Sequence, residues 1–114
     1  MAFVNGMVAA VPNDNKDAYA AMCKRMGPIF RKHGALDVAD CWGVDVPDGE
    51  VTSFPMAVKC GPDETVAFSW IIWPDRETAE AGMDNAMQDP AMGDMSEMPF
   101  DGKRLIFGGF ERLL

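Results

Sequence analysis

The sequence predicts an α+β fold with the element order β-α-β-β-α-β, and three observations predict it. Residues 65–73, TVAFSWIIW, alternate as a strand, with Val66, Phe68, Trp70 and Ile72 on one side and Ala67, Ser69, Ile71 and Trp73 on the other. Residues 16–33 place Tyr19, Met22, Cys23, Met26, Ile29, Phe30 and His33 on one helical stripe. Prolines, glycines and acidic turns separate these periodic segments at intervals that leave room for two helices and four strands. This is the split βαβ, ferredoxin-like order βαββαβ: an antiparallel four-stranded sheet with two helices on one face. A chain of 114 residues suits one such domain over 1–114 and can bury a core.

Each element follows from its residues. FVNGMVAAV at 3–11 is β-prone and apolar on both faces, and Pro12 with the following NDN stops it and offers helix caps. The first helix then runs to His33. Gly27-Pro28 interrupts it, because Pro28 cannot donate to the carbonyl of Lys24, so a kink or a distorted turn is expected there. Gly34 is placed to end it in a left-handed conformation. ALDVADCWGV at 35–44 alternates, with Leu36, Val38, Trp42 and Val44 on one face and Asp37, Ala39 and Cys41 on the other. PDGE at 47–50 is a turn. Residues 51–63 form a long connection, with a short helix or an extended arm around SFPMAVK. After the strand at 65–73, Pro74 is a stop and Asp75 a cap for a second helix reaching about Gln88, with Ala79, Met83, Ala86 and Met87 as its stripe. Pro90 breaks it, and a short helical turn follows toward Met95. FDGK at 100–103 turns into a last strand, RLIFGGFERL. Gly108-Gly109 inside that strand marks a bulge or a close backbone approach. It lacks the G-x-G-x-x-G spacing, between a strand and a helix, that a dinucleotide-binding loop needs.

Composition narrows the function. The net charge of −8 repels phosphate backbones and anionic lipid, which excludes general binding of nucleic acid or of a membrane surface. No stretch resembles a signal peptide and no apolar run approaches the roughly 20 residues of a membrane span, so a cytoplasmic protein is expected. Three widely spaced cysteines, Cys23, Cys41 and Cys60, make no disulfide framework, and with a single histidine there is no zinc pattern. The acidic turns miss the calcium-loop pattern. Counting back from Gly49 puts Val44 at the first ligand position, and in NDNKD Ala18 stands where glycine is required. No metal and no cofactor are therefore expected. Ten methionines are many for this length, and Met83, Met87, Met92, Met95 and Met98 crowd one region, where such side chains fill irregular gaps or line adaptable surfaces.

Two helices cover only one face of a four-stranded sheet, yet the strands at 3–11 and 65–73 are apolar on both. The uncovered face would be a large apolar patch. A second copy packed face to face would bury it, giving a two-fold dimeric α+β barrel. The alternative is a monomer whose 46–63 connection folds over the open face.

Three stretches, HGALDVADCWGVDVPDGEVTSFPMAVK, DETVAFSWIIWPDRETAEAGMDNAM and MPFDGKRLIFGGFE, together resemble a bacterial family known as domain of unknown function 1428, over nearly the whole chain. The resemblance implies membership of the dimeric α+β barrel superfamily and brings with it no assigned activity. That superfamily includes cofactor-independent monooxygenases, whose ligands sit between sheet and helices, although a fold does not fix a function.

The candidate site residues are His33, Trp42, Phe54 and Trp70. His33 is the one side chain whose unperturbed pKa lies near neutrality, at a helix end where the dipole favours its charged form. It is a capping residue or, if it lines a cleft, a general base. Trp42, Trp70 and Trp73 are core aromatics or the walls of an aromatic pocket. Phe54, on the long 47–63 connection with Pro55 and Met56, is expected to fold against the sheet edge or the partner subunit near Trp42 and Trp70. There it either forms one wall of a pocket or seals the core. Cys41 sits two residues along a face from Asp37, whose charge works against a thiolate, so it is expected as a buried packing residue. Three functions stay open: a homodimer binding a small-molecule ligand between sheet and helices, a non-catalytic homodimeric interaction or stress-related module, and a cofactor-independent monooxygenase-like enzyme.

Overall fold

In the computed structural model, which describes residues 1–114, β1 (Phe3–Pro12) and β3 (Glu64–Trp73) form the centre of a four-stranded sheet. β2 (Asp37–Trp42) and β4 (Ile106–Glu111) are its edges, in the order β2-β3-β1-β4 with every neighbouring pair antiparallel. Helices α1 (Lys16–Lys32) and α3 (Arg76–Gln88) pack on one face, and a short α2 (Phe54–Ala57) belongs to the connection between β2 and β3. This is the expected ferredoxin-like arrangement.

The two-sided apolar pattern of the central strands creates two cores. On the helix side Ile71 and Trp73 of β3 pack with Ile29 and Phe30 of α1 and Ala79 and Ala86 of α3. Trp73 is fully buried there, and its indole N–H is satisfied by donation to Asn5 Oδ1 at 2.8 Å. Close packing over this ring requires Gly82: a Cβ on it would strike both the Trp73 ring and the carbonyl of His33. On the opposite face, Val8 and Ala10 of β1 and Val66 of β3 pack against Val58 from the connection.

Helix α1 runs unbroken through Pro28 to Lys32. The preceding residue is glycine, which lacks the Cβ that a proline ring crowds in helical backbone. The helix ends as Gly34 predicts, at φ 114°, with Gly34 N–H donating to Arg31 and Ala35 N–H to Phe30 in a Schellman pairing. The asparagines before α1 do not cap it. Asn15 instead donates from its side chain to the carbonyl of Pro99, tying the helix start to the C-terminal segment. Asp75 does cap α3, accepting from Thr78 N at 2.7 Å.

The connection between β2 and β3 covers only one end of the open face. Val58 is sealed there, but the Phe54 ring rests edge-on against Phe68 and stays about half exposed. Phe68 meets Trp70 at 5.8 Å between ring centres. Toward β4, Phe110 is 59% exposed and Ile106 43%. Cys41, expected to be buried, is exposed because it points to this uncovered face from an edge strand. Near the covered end, Arg104 grips both carboxylate oxygens of Glu64 at 2.7 Å and also donates to Asp101 and to the carbonyl of Lys59. That cluster fastens the approach to β4 onto the start of β3.

Candidate functional site

Between the helix-side face of the sheet and the helices lies a cavity of about 250 Å³. Methionine is its main wall material. Met22 and Met26 come from α1, Met83 and Met87 from α3, Met95 and Met98 from the segment that follows, and Met7 from β1. Seventeen of the twenty residues around it are hydrophobic, so its character is that of an apolar binding pocket with few polar groups.

Those polar groups are gathered on one wall. Ser69 of β3 and Asp40 of β2 are register partners, so both project toward the helices. Ser69 Oγ donates to Asp40 Oδ1 at 2.8 Å. Tyr19, in the first turn of α1, brings its hydroxyl to 3.4 Å from Ser69 Oγ. Its ring is held between Trp42 and Phe100, at centroid distances of 6.1 and 5.9 Å. Burial pushes the Tyr19 phenol well above its ordinary value, so it stays protonated. Burial, and after it the charge of Asp40, pushes the Cys23 thiol on the same wall up to about 12. It is therefore no ready nucleophile near neutral pH. Tyr19, Cys23 and Asp40 also line an adjoining cleft between α1 and β2, where Lys16 Nζ stands 5.4 Å over the Trp42 ring. They are the partition between an apolar interior and a cleft that carries Lys16 and Lys24.

The family described as "Protein of unknown function (DUF1428)" matches residues 2–102. The chain belongs to the DUF1428 family. It is 50% identical over 115 aligned residues to "Uncharacterized protein YbaA" of Escherichia coli strain K12, covering all of this chain and 98% of that one. The same figures hold for the protein of that name in Shigella flexneri. Among solved structures it is similar to a designed protein, "De novo designed protein Foldit4", with a TM-score of 0.50 and 11% identity over 99% of this chain and 100% of that one, a likeness of fold alone.

In this DUF1428 chain the four candidates expected from sequence lie in different places. Trp70 borders the cavity, while its ring neighbours Phe68. Trp42 lines the adjoining cleft. Phe54 sits on the opposite face of the sheet. His33 lies beyond the cavity, at the end of α1, with Nε2 2.8 Å from Asp89 Oδ2. Asp89 is nearly buried, also receives Lys32 Nζ at 3.0 Å, and caps the turn Pro90–Met92 through Ala91 N. The His33 hydrogen bond, then Ala91 N–H and Lys32, hold its carboxyl well below the usual range. The pair thus tethers the start of the methionine-bearing segment. No three His, Cys, Asp or Glu side chains gather as a metal site.

Sequence reasoning missed Tyr19, Asp40 and Ser69. The available signal was Ser69, a hydroxyl set between the apolar Ala67 and Ile71 on the inner side of β3. The cluster of methionines at 83–98 pointed to the region but not to the partners from α1.

Proposed function

We propose that this protein is a cytoplasmic homodimer in which each protomer binds a small, mainly apolar molecule between its sheet and helices. The observation that carries the reading is the methionine-walled cavity with its single polar wall. An unfilled apolar void forfeits packing contacts, and a ligand of matching shape would regain them. Unbranched, polarizable methionines adapt to such a guest and make favourable contacts with aromatic rings. Binding rests on Tyr19 and Ser69 beside the methionines, with Trp42 closing the adjoining cleft and Trp70, whose ring meets Phe68 on the open face, bordering the cavity from β3. His33 acts as a tether, and Phe54 belongs to the dimer face.

The dimer is supported by the open side of the sheet. Phe54, Phe68, Ile106 and Phe110 are all substantially exposed on it. Two such faces, related by a two-fold axis, would bury them in a sheet-on-sheet contact about 10 Å thick. The net charge of −8 speaks against nucleic acid as a partner.

Naphthalene, which has no polar group, tests the pocket by itself. The wild-type protein should bind it, measured by calorimetry. Ala9→Leu, which adds bulk at a cavity-lining position of β1, should abolish binding while unfolding stays cooperative. Undiminished naphthalene binding by a folded Ala9→Leu variant, or none by the wild type, would overturn the reading.

A further inference from the structure

The polar wall of the cavity has a direction, and counting protons gives it. A serine hydroxyl carries one proton. That of Ser69 goes to Asp40 Oδ1 at 2.8 Å, because a carboxylate can only accept. In the contact between Tyr19 and Ser69, 3.4 Å long, the donor is therefore Tyr19. A tyrosine hydroxyl also has one proton. In that orientation Tyr19 Oη turns lone pairs toward the cavity; at 3.4 Å the contact with Ser69 is the long link of the chain, beside the full-strength bond of 2.8 Å to Asp40.

The wall therefore ends in an acceptor whose polarity is set by Asp40 at the far end of the chain. Cys23, the other polar residue of the wall, adds only a thiol, a weak donor and weak acceptor. Each link is held by structure. Asp40 and Ser69 are neighbours in the sheet register, and the Tyr19 ring is fixed between two aromatic rings. The size of the void sets the scale of the guest. An apolar cavity of roughly 150 Å³ accommodates benzene, so one of about 250 Å³ suits two fused rings.

We propose that the cavity selects an apolar ring compound whose one polar group is a hydrogen-bond donor, a phenolic or enolic hydroxyl received by Tyr19 Oη. The proposal deepens the binding reading above and rests on it. Ethers and ketones of the same shape present only acceptors, and two acceptors face to face leave both unpaired in an apolar site.

The test compares naphthol, its methyl ether and acetylnaphthalene as ligands of the full-length protein by calorimetry. Naphthol should bind about ten-fold more tightly than the ether. Tyr19→Phe keeps the ring and removes the acceptor, so the two affinities should come within about two-fold of each other, by loss of naphthol affinity alone. In Asp40→Asn the side-chain amide can donate back to Ser69. The chain can then reverse, and acetylnaphthalene should gain on naphthol. Equal binding of all three probes by the wild type, or a preference for the ketone, would overturn the proposal while leaving the apolar pocket standing. So would a naphthol preference that survives in Tyr19→Phe. If neither naphthalene nor any of the three binds, the pocket reading falls and this inference with it.

Discussion

Glu64 shows how much one side chain can organise at the edge of this fold. Its two oxygens take the Arg104 guanidinium bidentately, and Oε1 also accepts from Gly61 N at 2.8 Å. The Arg104 hydrogen bonds, and then that of Gly61, draw its pKa from 4.5 to about 2. The folded value lies below the ordinary one. The stabilisation is therefore complete above pH 4.5 and is lost as the pH falls toward 2. Urea unfolding across that window should show stability dropping steeply in the wild type and less steeply in Glu64→Gln, which is weaker at neutral pH but has no proton to gain at this position. An unchanged pH slope would mean that the ion pair adds nothing in the folded state. The polar wall of the cavity is the other residue-scale feature. Ser69 and Asp40 place a hydroxyl and a charge beside an apolar void, an arrangement that packing alone would not favour and that Tyr19 completes.

At the scale of elements, the segment after α3 closes the cavity with Met95 and Met98, and it begins at the Asp89 tether to His33 and Lys32. Removing the imidazole by His33→Ala should loosen that start. Amide exchange at Ala91 and Met92 should accelerate several-fold relative to the sheet, detectable by mass spectrometry, and exchange unchanged there would contradict the tether. The same elements show what was legible beforehand. The strand at 64–73 could be read because its alternation is uninterrupted and Pro74 with Asp75 punctuates its end, and Gly34 announced the end of α1. The cavity could not be read. Its methionines come from β1, α1, α3 and the segment beyond it, facing a wall from β2 and β3, and only packing decides whether side chains from so many places leave space between them. Tyr19 was hidden as one member of the α1 apolar stripe, and His33 was visible as a helix end while its partner stands 56 residues away. The connection between β2 and β3 was expected to fold against the sheet edge or a partner subunit near Trp42 and Trp70; it lies over the central strands on the face opposite the cavity and Trp42, with Val58 on Val8, Ala10 and Val66 and with Phe54 on Phe68.

For the whole molecule, the open sheet face and the methionine-walled cavity lie on opposite sides of β1 and β3, so assembly and ligand binding can be disturbed separately. Phe110→Asp puts a charge on the exposed face, at a position where the ring merely lies over Gly6 and Gly108. It should convert the proposed dimer to a folded monomer by light scattering and leave naphthalene binding intact. A wild type that is already monomeric at micromolar concentration would contradict the dimer. The pocket itself is tested most directly by the methionine methyl groups, which are natural reporters. Seven of the ten line the cavity, whereas Met1, Met56 and Met92 do not. In a methyl-labelled sample titrated with naphthol and followed by two-dimensional NMR, resonances of Met7, Met22, Met26, Met83, Met87, Met95 and Met98 should shift together, with Met1 and Met56 unmoved. Shifts confined to Met56, beside the open sheet face, with the seven unchanged, would place the ligand elsewhere and contradict the cavity as its site.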